Sequence, residues 1–164
     1  MNEAHFHLLV NHIPIIGVVI GILILTAGFI FKINMVKRTA LGVFIFSAMF
    51  TIPAFLSGEG AEEVIEKLPG VSETYIEAHE EIAEIFIWII ATLGVLSLLT
   101  FLSEYFKTKY SKLLYLLTAI MAIATIVVAK QVGTTGGEIR HIEIRATQFP
   151  VNTNSIKPEE DKDD

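Results

Sequence analysis

Four charge-free apolar stretches punctuate this 164-residue chain: residues 13–31, 40–56, 85–102 and 113–129. Each is close to the length a helix needs to cross hydrocarbon, roughly 17–25 residues. Lipid cannot pair exposed backbone amides, so each stretch reads as a spanning α-helix. The pattern predicts an all-α, four-helix transmembrane bundle running up-down-up-down. The first stretch reads as a span and not as a secretory leader, because acidic Glu3 precedes it, no basic residue does, and its apolar run is too long.

The polar segments between the stretches set the expected orientation. Lys32, Lys37 and Arg38 lie between helices 1 and 2; Lys107, Lys109 and Lys112, with the single acid Glu104, lie between helices 3 and 4. Segment 57–81 carries one basic residue, Lys67, among many glutamates. Short basic loops stay on the cytoplasmic side. Both termini and segment 57–81 are therefore expected outside, in the periplasm or the extracellular space, with the protein in the cytoplasmic (inner) membrane. Residues 1–145 form the expected domain, and 146–164, ending KPEEDKDD, read as a disordered acidic outer tail.

Local signals refine the helices. Pro53 and the run Ser57-Gly58-Glu59-Gly60 should bend or end helix 2, and residues 61–67 suit a short surface helix. Pro69-Gly70 is a turn; Ser72 is placed to cap a helix 3 that begins near Glu73. Gly133 and Gly136-Gly137 are expected to break the chain after helix 4. Gly17 and Gly21 form a Gly-x-x-x-Gly pair that suits close packing of a second helix of this chain, or of a second copy in a homo-oligomer.

Composition narrows the chemistry. The chain is 52% hydrophobic and 18% charged, which supports the membrane reading. It has no cysteine, so disulfides, thiolate-held clusters, covalently attached haem and cysteine nucleophiles are excluded. A net charge of −6 argues against nucleic-acid partners. No nucleophile–base–orienter set is present, and no enzyme class is assigned.

What remains is histidine. His5, His7, His12, His79 and His141 all fall in outer segments, although those segments hold most of the polar residues anyway. His12 precedes the first apolar run in the sequence Asn11-His12-Ile13-Pro14, and His79 opens helix 3. Helical periodicity puts Glu77, Glu81, Glu84 and Trp88 on one face of helix 3, and His79, Ala83, Phe86 and Ile90 on the other. Tryptophan favours the headgroup level, which turns His79 inward. Helices 1 and 3 are diagonal in such a bundle, so His12 and His79 can meet one haem b iron from both faces. Arg140 and Arg145, with Lys130, stand at the right end to neutralise propionates. His7 projects away from His12 around helix 1. Three alternatives stand beside haem: a divalent-metal or proton site built from Glu59, Glu62 and His141 with His79; interfacial histidines with no ligand; and a cofactor-free assembly subunit whose partners are the bilayer and other membrane-complex subunits.

These residues resemble a family of small four-helix bacterial membrane proteins of unknown function. The resemblance rests on His12-Ile13-Pro14 at helix 1, Gly58-Glu59-Gly60-Ala61 after helix 2, His79 at helix 3 and Gly136-Gly137 at helix 4, and covers about residues 5–145. Some relatives are joined to Rieske or cytochrome-like modules, which implies a redox setting and a redox partner. His141 departs from the family pattern, whose later histidine has a different local context.

The absence of native cysteine makes the topology directly testable. A cysteine at Asn34 or Thr108 should resist an impermeant thiol reagent in whole cells, while one at Asn154 should be labelled; labelling of Asn34→Cys from outside would reverse the orientation.

Overall fold

The computed structural model describes residues 2–145. Every element in it is helical: α1 (Glu3–Val10), α2 (His12–Ile30), α3 (Asn34–Leu56), α4 (Gly58–Ile65), α5 (Glu73–Tyr105) and α6 (Ser111–Arg140), followed by a 3-10 turn at Ile142–Ile144. Four helical segments are long and apolar enough to cross a membrane: Glu3–Ile30 (α1 with α2), Asn34–Leu56, Glu73–Tyr105 and Ser111–Arg140, with mean hydropathy 2.7, 2.0, 2.5 and 2.2. The protein is a multi-pass membrane protein with an all-α bundle. The acidic tail, residues 146–164, lies outside the described residues.

The spanning helices pack in a ring, α2 on α3, α3 on α5 and α5 on α6, with a lighter α2–α6 contact closing it. Helices α2 and α5 are thus diagonal, as expected. The interior is built from Val18, Leu25, Leu41, Phe44, Phe86, Ile90 and Leu93, interleaved with buried Ser47, Thr51, Ser97, Thr100, Thr118 and Thr125. Large apolar side chains such as Leu23 and Leu116 instead face outward, which suits lipid. The buried hydroxyls are not left unpaired. Ser47, Ser97 and Thr125 donate to the carbonyls of Val43, Leu93 and Met121 at 2.8, 2.7 and 2.8 Å, one turn back. Thr100 and Thr118 bond across α5 and α6 at 2.8 Å.

Small residues let the helices approach. Gly17 and Gly21 lie against Ser47 and Phe44 of α3, and a Cβ on Gly94 would fall 2.6 Å from the Ala48 Cβ. The Gly-x-x-x-Gly face is therefore used within the chain.

At the basic-loop end the two short turns share one device. Lys32 and Lys107 have φ of 58° and 52°, in the left-handed region usually taken by glycine. Ile33 and Thr108 then donate to Gly28 and Ser103 at 3.1 and 2.9 Å, closing α2 and α5 in the same way. Arg38 pairs with Glu104 at 3.4 Å, and the Tyr115 hydroxyl donates to the same carboxylate. The Lys37 ammonium lies 5.4 and 5.3 Å from the Phe29 and Tyr115 ring centres, so all four spanning helices are tied at this end.

The structure corrects several local expectations. Gly133, Gly136 and Gly137 do not break the fourth spanning helix, which continues to Arg140. Glycine keeps its N–H, so the hydrogen-bond ladder survives, and close packing offsets its entropic cost. The surface helix is Gly58–Ile65, not 61–67. Ser72 precedes α5 but its side chain makes no capping bond. Helix 1 is interrupted at Asn11, between α1 and α2.

Two glycines separate packing from propensity. Gly42 has open space where a Cβ would go, so Gly42→Ala should stabilise the folded protein by about 0.5–1 kcal/mol. Gly21→Ala meets the Phe44 ring and should cost about 1–3 kcal/mol. Reversible unfolding in mixed micelles measures both, and the opposite order would refute this packing.

Candidate functional site

Opposite the basic loops the bundle opens. The first turns of α5 and the last turns of α6, with α1 and α4, line a half-open chamber of about 1760 Å3. His7 and His79 are half-buried on its wall, whereas His5, His12 and His141 are exposed.

The sequence explains how His7 comes to face inward. Asn2 caps α1 by accepting from the His5 N–H at 2.9 Å, which starts the helix early enough to include His7. Ala4 and Val10 are buried on the side of α1 that carries His7. Pro14 is buried one turn into α2 and has no N–H for the Val10 carbonyl; the helix is interrupted just before it, at Asn11. His12 begins the new segment, exposed, with its Nδ1 only 3.4 Å from the Leu8 carbonyl oxygen.

The two half-buried imidazoles have matching supports. His7 Nδ1 lies 3.1 Å from Ser57 Oγ, and Ser57 Oγ is 3.0 Å from the Ala54 carbonyl oxygen. His79 Nδ1 lies 3.1 Å from Thr135 Oγ1, and Thr135 Oγ1 is 3.1 Å from the Gln131 carbonyl oxygen. A hydroxyl has one proton. Where that proton goes to the carbonyl, the oxygen accepts from an Nδ1–H and the Nε2 lone pair is free, the tautomer that binds metals; where it goes to Nδ1, the ring carries its hydrogen on Nε2. A charge on either ring would be felt by the other.

Gly136 completes the seat of His79. A Cβ there would lie 3.0 Å from His79 Cε1 and 3.3 Å from Nδ1, so the ring rests directly on the α6 backbone. The glycine that the sequence marks as a break is instead the surface that receives the imidazole.

The other residues singled out in the sequence separate into different roles. Arg145 is buried; it donates to the Glu138 and Ile139 carbonyls at 2.6 and 2.9 Å and stacks 4.1 Å from the Tyr75 ring centre. It satisfies the open end of α6 and pins the turn to α5. Arg140 is exposed and lines the chamber. His141 points its Nδ1 at the Glu143 carboxylate, 2.9 Å away. Glu59 is exposed; Glu62 is half-buried, and its carboxyl is held above the usual carboxylate range by a hydrogen bond with Glu80, with burial and the charges of Glu80, Glu59 and Glu73 adding to it. Among the described residues, no three histidine or carboxylate side chains converge as metal ligands, so Glu59, Glu62 and His141 are not brought together as one set. Trp88 is 76% exposed and Phe86 and Ile90 are buried, in keeping with the two faces read on helix 3.

One further atom stands out. Asn11 lines the chamber, but its Oδ1 is turned away from open space, fully buried and without a hydrogen-bond partner among the described residues. Leaving such an acceptor unpaired costs about 1–3 kcal/mol.

Sequence periodicity passes over His7, Ser57, Thr135 and Asn11. The available signal for His7 was its i+3 spacing from Ala4, a face continuous with Val10. No local signal pairs Ser57 or Thr135 with a histidine 50 or 56 residues away. No family model, no curated protein and no solved structure matches the chain.

Proposed function

We propose that this chain is an electron-transfer subunit of the cytoplasmic membrane that holds a b-type haem in the chamber, with His7 and His79 as axial ligands. The observation that carries the reading is the pair of half-buried imidazoles on diagonal segments of the bundle, each with Nδ1 within hydrogen-bond distance of a hydroxyl. His79 keeps the ligand role that the sequence suggests; His7 replaces His12, which is exposed.

The residues present fit such a group. The chamber is half-open and, at about 1760 Å3, is not too small for such a group. Phe86 and Ala83 supply apolar lining. Ser57 and Thr135 fix ring orientation and raise imidazole basicity. Of the cations expected to meet propionates, Arg140 is free to do so, and Arg145 is engaged with backbone carbonyls. When bound, a haem with two imidazole ligands supplies one-electron transfer at a closed coordination sphere. Some members of the family that the sequence resembles are joined to Rieske or cytochrome-like modules, which favours a redox setting by association only.

The basic loops support an orientation with the chamber on the outer face. A redox partner would then meet it from the periplasm or the extracellular space. The carboxyl of Glu62, raised by its neighbour Glu80, favours a second reading, a proton-binding or divalent-metal membrane protein, in which the same end of the bundle acts without haem.

A difference spectrum of dithionite-reduced against oxidised protein tests the proposal. A sharp reduced α-band is expected, abolished by His7→Ala and by His79→Ala and retained in His12→Ala. Ser57→Ala and Thr135→Ala should each weaken haem retention about 10–100-fold. Loss of the band in His12→Ala but not in His7→Ala would return the ligand role to His12. Colourless protein from haem-replete cells would reject haem, and metal analysis of that material then decides the second reading.

A further inference from the structure

The basic end of the bundle holds a second concavity. Leu99, Leu102 and Ser103 of α5, Phe106, Thr108 and Tyr110 of the turn that follows, and Leu114 of α6 line an open groove of about 420 Å3. Leu99, Leu102, Phe106 and Tyr110 are exposed. The charge-free runs that end at residue 102 and begin at residue 113 put the groove at the edge of the hydrocarbon layer. Its hydroxyls are taken up locally: Ser103 bonds to Thr108 and to Ser111, and Ser111 donates to the Thr108 carbonyl at 3.0 Å. What the groove presents is therefore side-chain hydrocarbon. A soluble polar ligand finds nothing to bond there, whereas an alkyl chain finds a surface that matches it.

The edge of the groove is cationic. Lys107 and Lys109 alternate with Phe106, Thr108 and Tyr110, so each lies between two residues of the wall. The Lys109 ammonium is 5.2 Å from the Tyr110 ring centre, which places it at the rim. Both lysines are exposed, and neither has a carboxylate partner among the described residues. Glu104, the one acid nearby in the sequence, is turned to Arg38 at 3.4 Å and to the Tyr115 hydroxyl. Two unanswered positive charges thus stand beside an apolar groove, at the depth where a bilayer presents its headgroups.

We propose that this groove seats an anionic phospholipid of the surrounding bilayer, with one acyl chain along Leu99, Leu102, Phe106 and Leu114 and its phosphate at the ammonium groups of Lys107 and Lys109. The basic loops favour a cytoplasmic position for this end, and that leaflet carries anionic lipid. A zwitterionic lipid matches the groove equally well but brings its own ammonium toward the lysines, so the net charge of the headgroup is what the site selects. The seat lies at the far end of the bundle from the chamber and draws on none of the residues assigned to haem.

The test uses the purified full-length chain in mild detergent, titrated with phosphatidylglycerol and with phosphatidylcholine of the same acyl chains. Binding is read by native mass spectrometry and by the shift in melting temperature. Phosphatidylglycerol should bind saturably and raise the melting temperature, and phosphatidylcholine should bind about tenfold more weakly or less. Lys107→Gln and Lys109→Gln should each weaken phosphatidylglycerol binding about fivefold, the effect of one lysine near an anionic headgroup. Both variants should melt with the parent when no lipid is added, since the side chains are exposed. Lys32→Gln should leave binding unchanged, because Lys32 holds the matching place in the α2–α3 turn, whose residues do not line the groove. Glycerol phosphate, the same anion without chains, should not compete. Equal affinity for the two lipids would overturn the proposal, as would equal losses in Lys32→Gln and the two groove variants, which would leave only a diffuse attraction of the basic end. Competition by glycerol phosphate would overturn it too, by showing that the anion binds without the groove.

Discussion

Hydrocarbon offers no hydrogen bonds, and the rest of this structure follows from that constraint. Polar side chains inside the bundle must be small enough to bond back to their own helix, and they are: the buried serines and threonines of α3, α5 and α6 reach carbonyls one turn away. Because these residues are short, and because Gly17, Gly21 and Gly94 have no side chain, the helices can approach closely. The bundle thus gains packing where a soluble protein would rely on burying large apolar groups, while its large apolar groups face lipid.

The same rule divides the molecule into two ends. At the basic-loop end, half-buried charges and aromatic rings are used up on one another, with Phe29, Lys37, Arg38, Glu104 and Tyr115 joined across four helices. At the other end the helices part, and polar atoms face a cavity. The two half-buried histidines there spend one nitrogen each on the scaffold and keep the other. That asymmetry between a closed end and an open end makes the chamber the natural place to look for chemistry.

Much of the architecture was legible in the sequence because lipid-spanning helices announce themselves by the absence of charge. The inward face of α5 was legible too, since Phe86 and Ile90 repeat at helical spacing opposite Trp88. The histidine pairing was only half legible. Periodicity turns His79 inward; on the first spanning segment the buried positions Ala4, Val10, Pro14 and Val18 keep helical spacing through Asn11, whose backbone is itself helical, and that face carries His7 and not His12. The hydroxyls that support the rings come from distant helices, and a local pattern cannot show them. Gly136 misleads in the opposite way: glycine is a common terminator, but here it is a contact surface whose meaning depends on what packs against it.

The length of α5 has an electrical consequence. At 33 residues the helix is about 50 Å long, well beyond the roughly 30 Å of a hydrocarbon core. His79 lies six residues before the charge-free run that begins at residue 85, about 9 Å along the axis. The chamber is therefore at the edge of the insulating slab and not at its centre. A transmembrane voltage does work of about 2.3 kcal/mol per 100 mV only on a charge that crosses the whole slab. A charge entering and leaving this chamber from its own side crosses little of it, so exchange there is nearly silent electrically, whatever voltage the membrane holds.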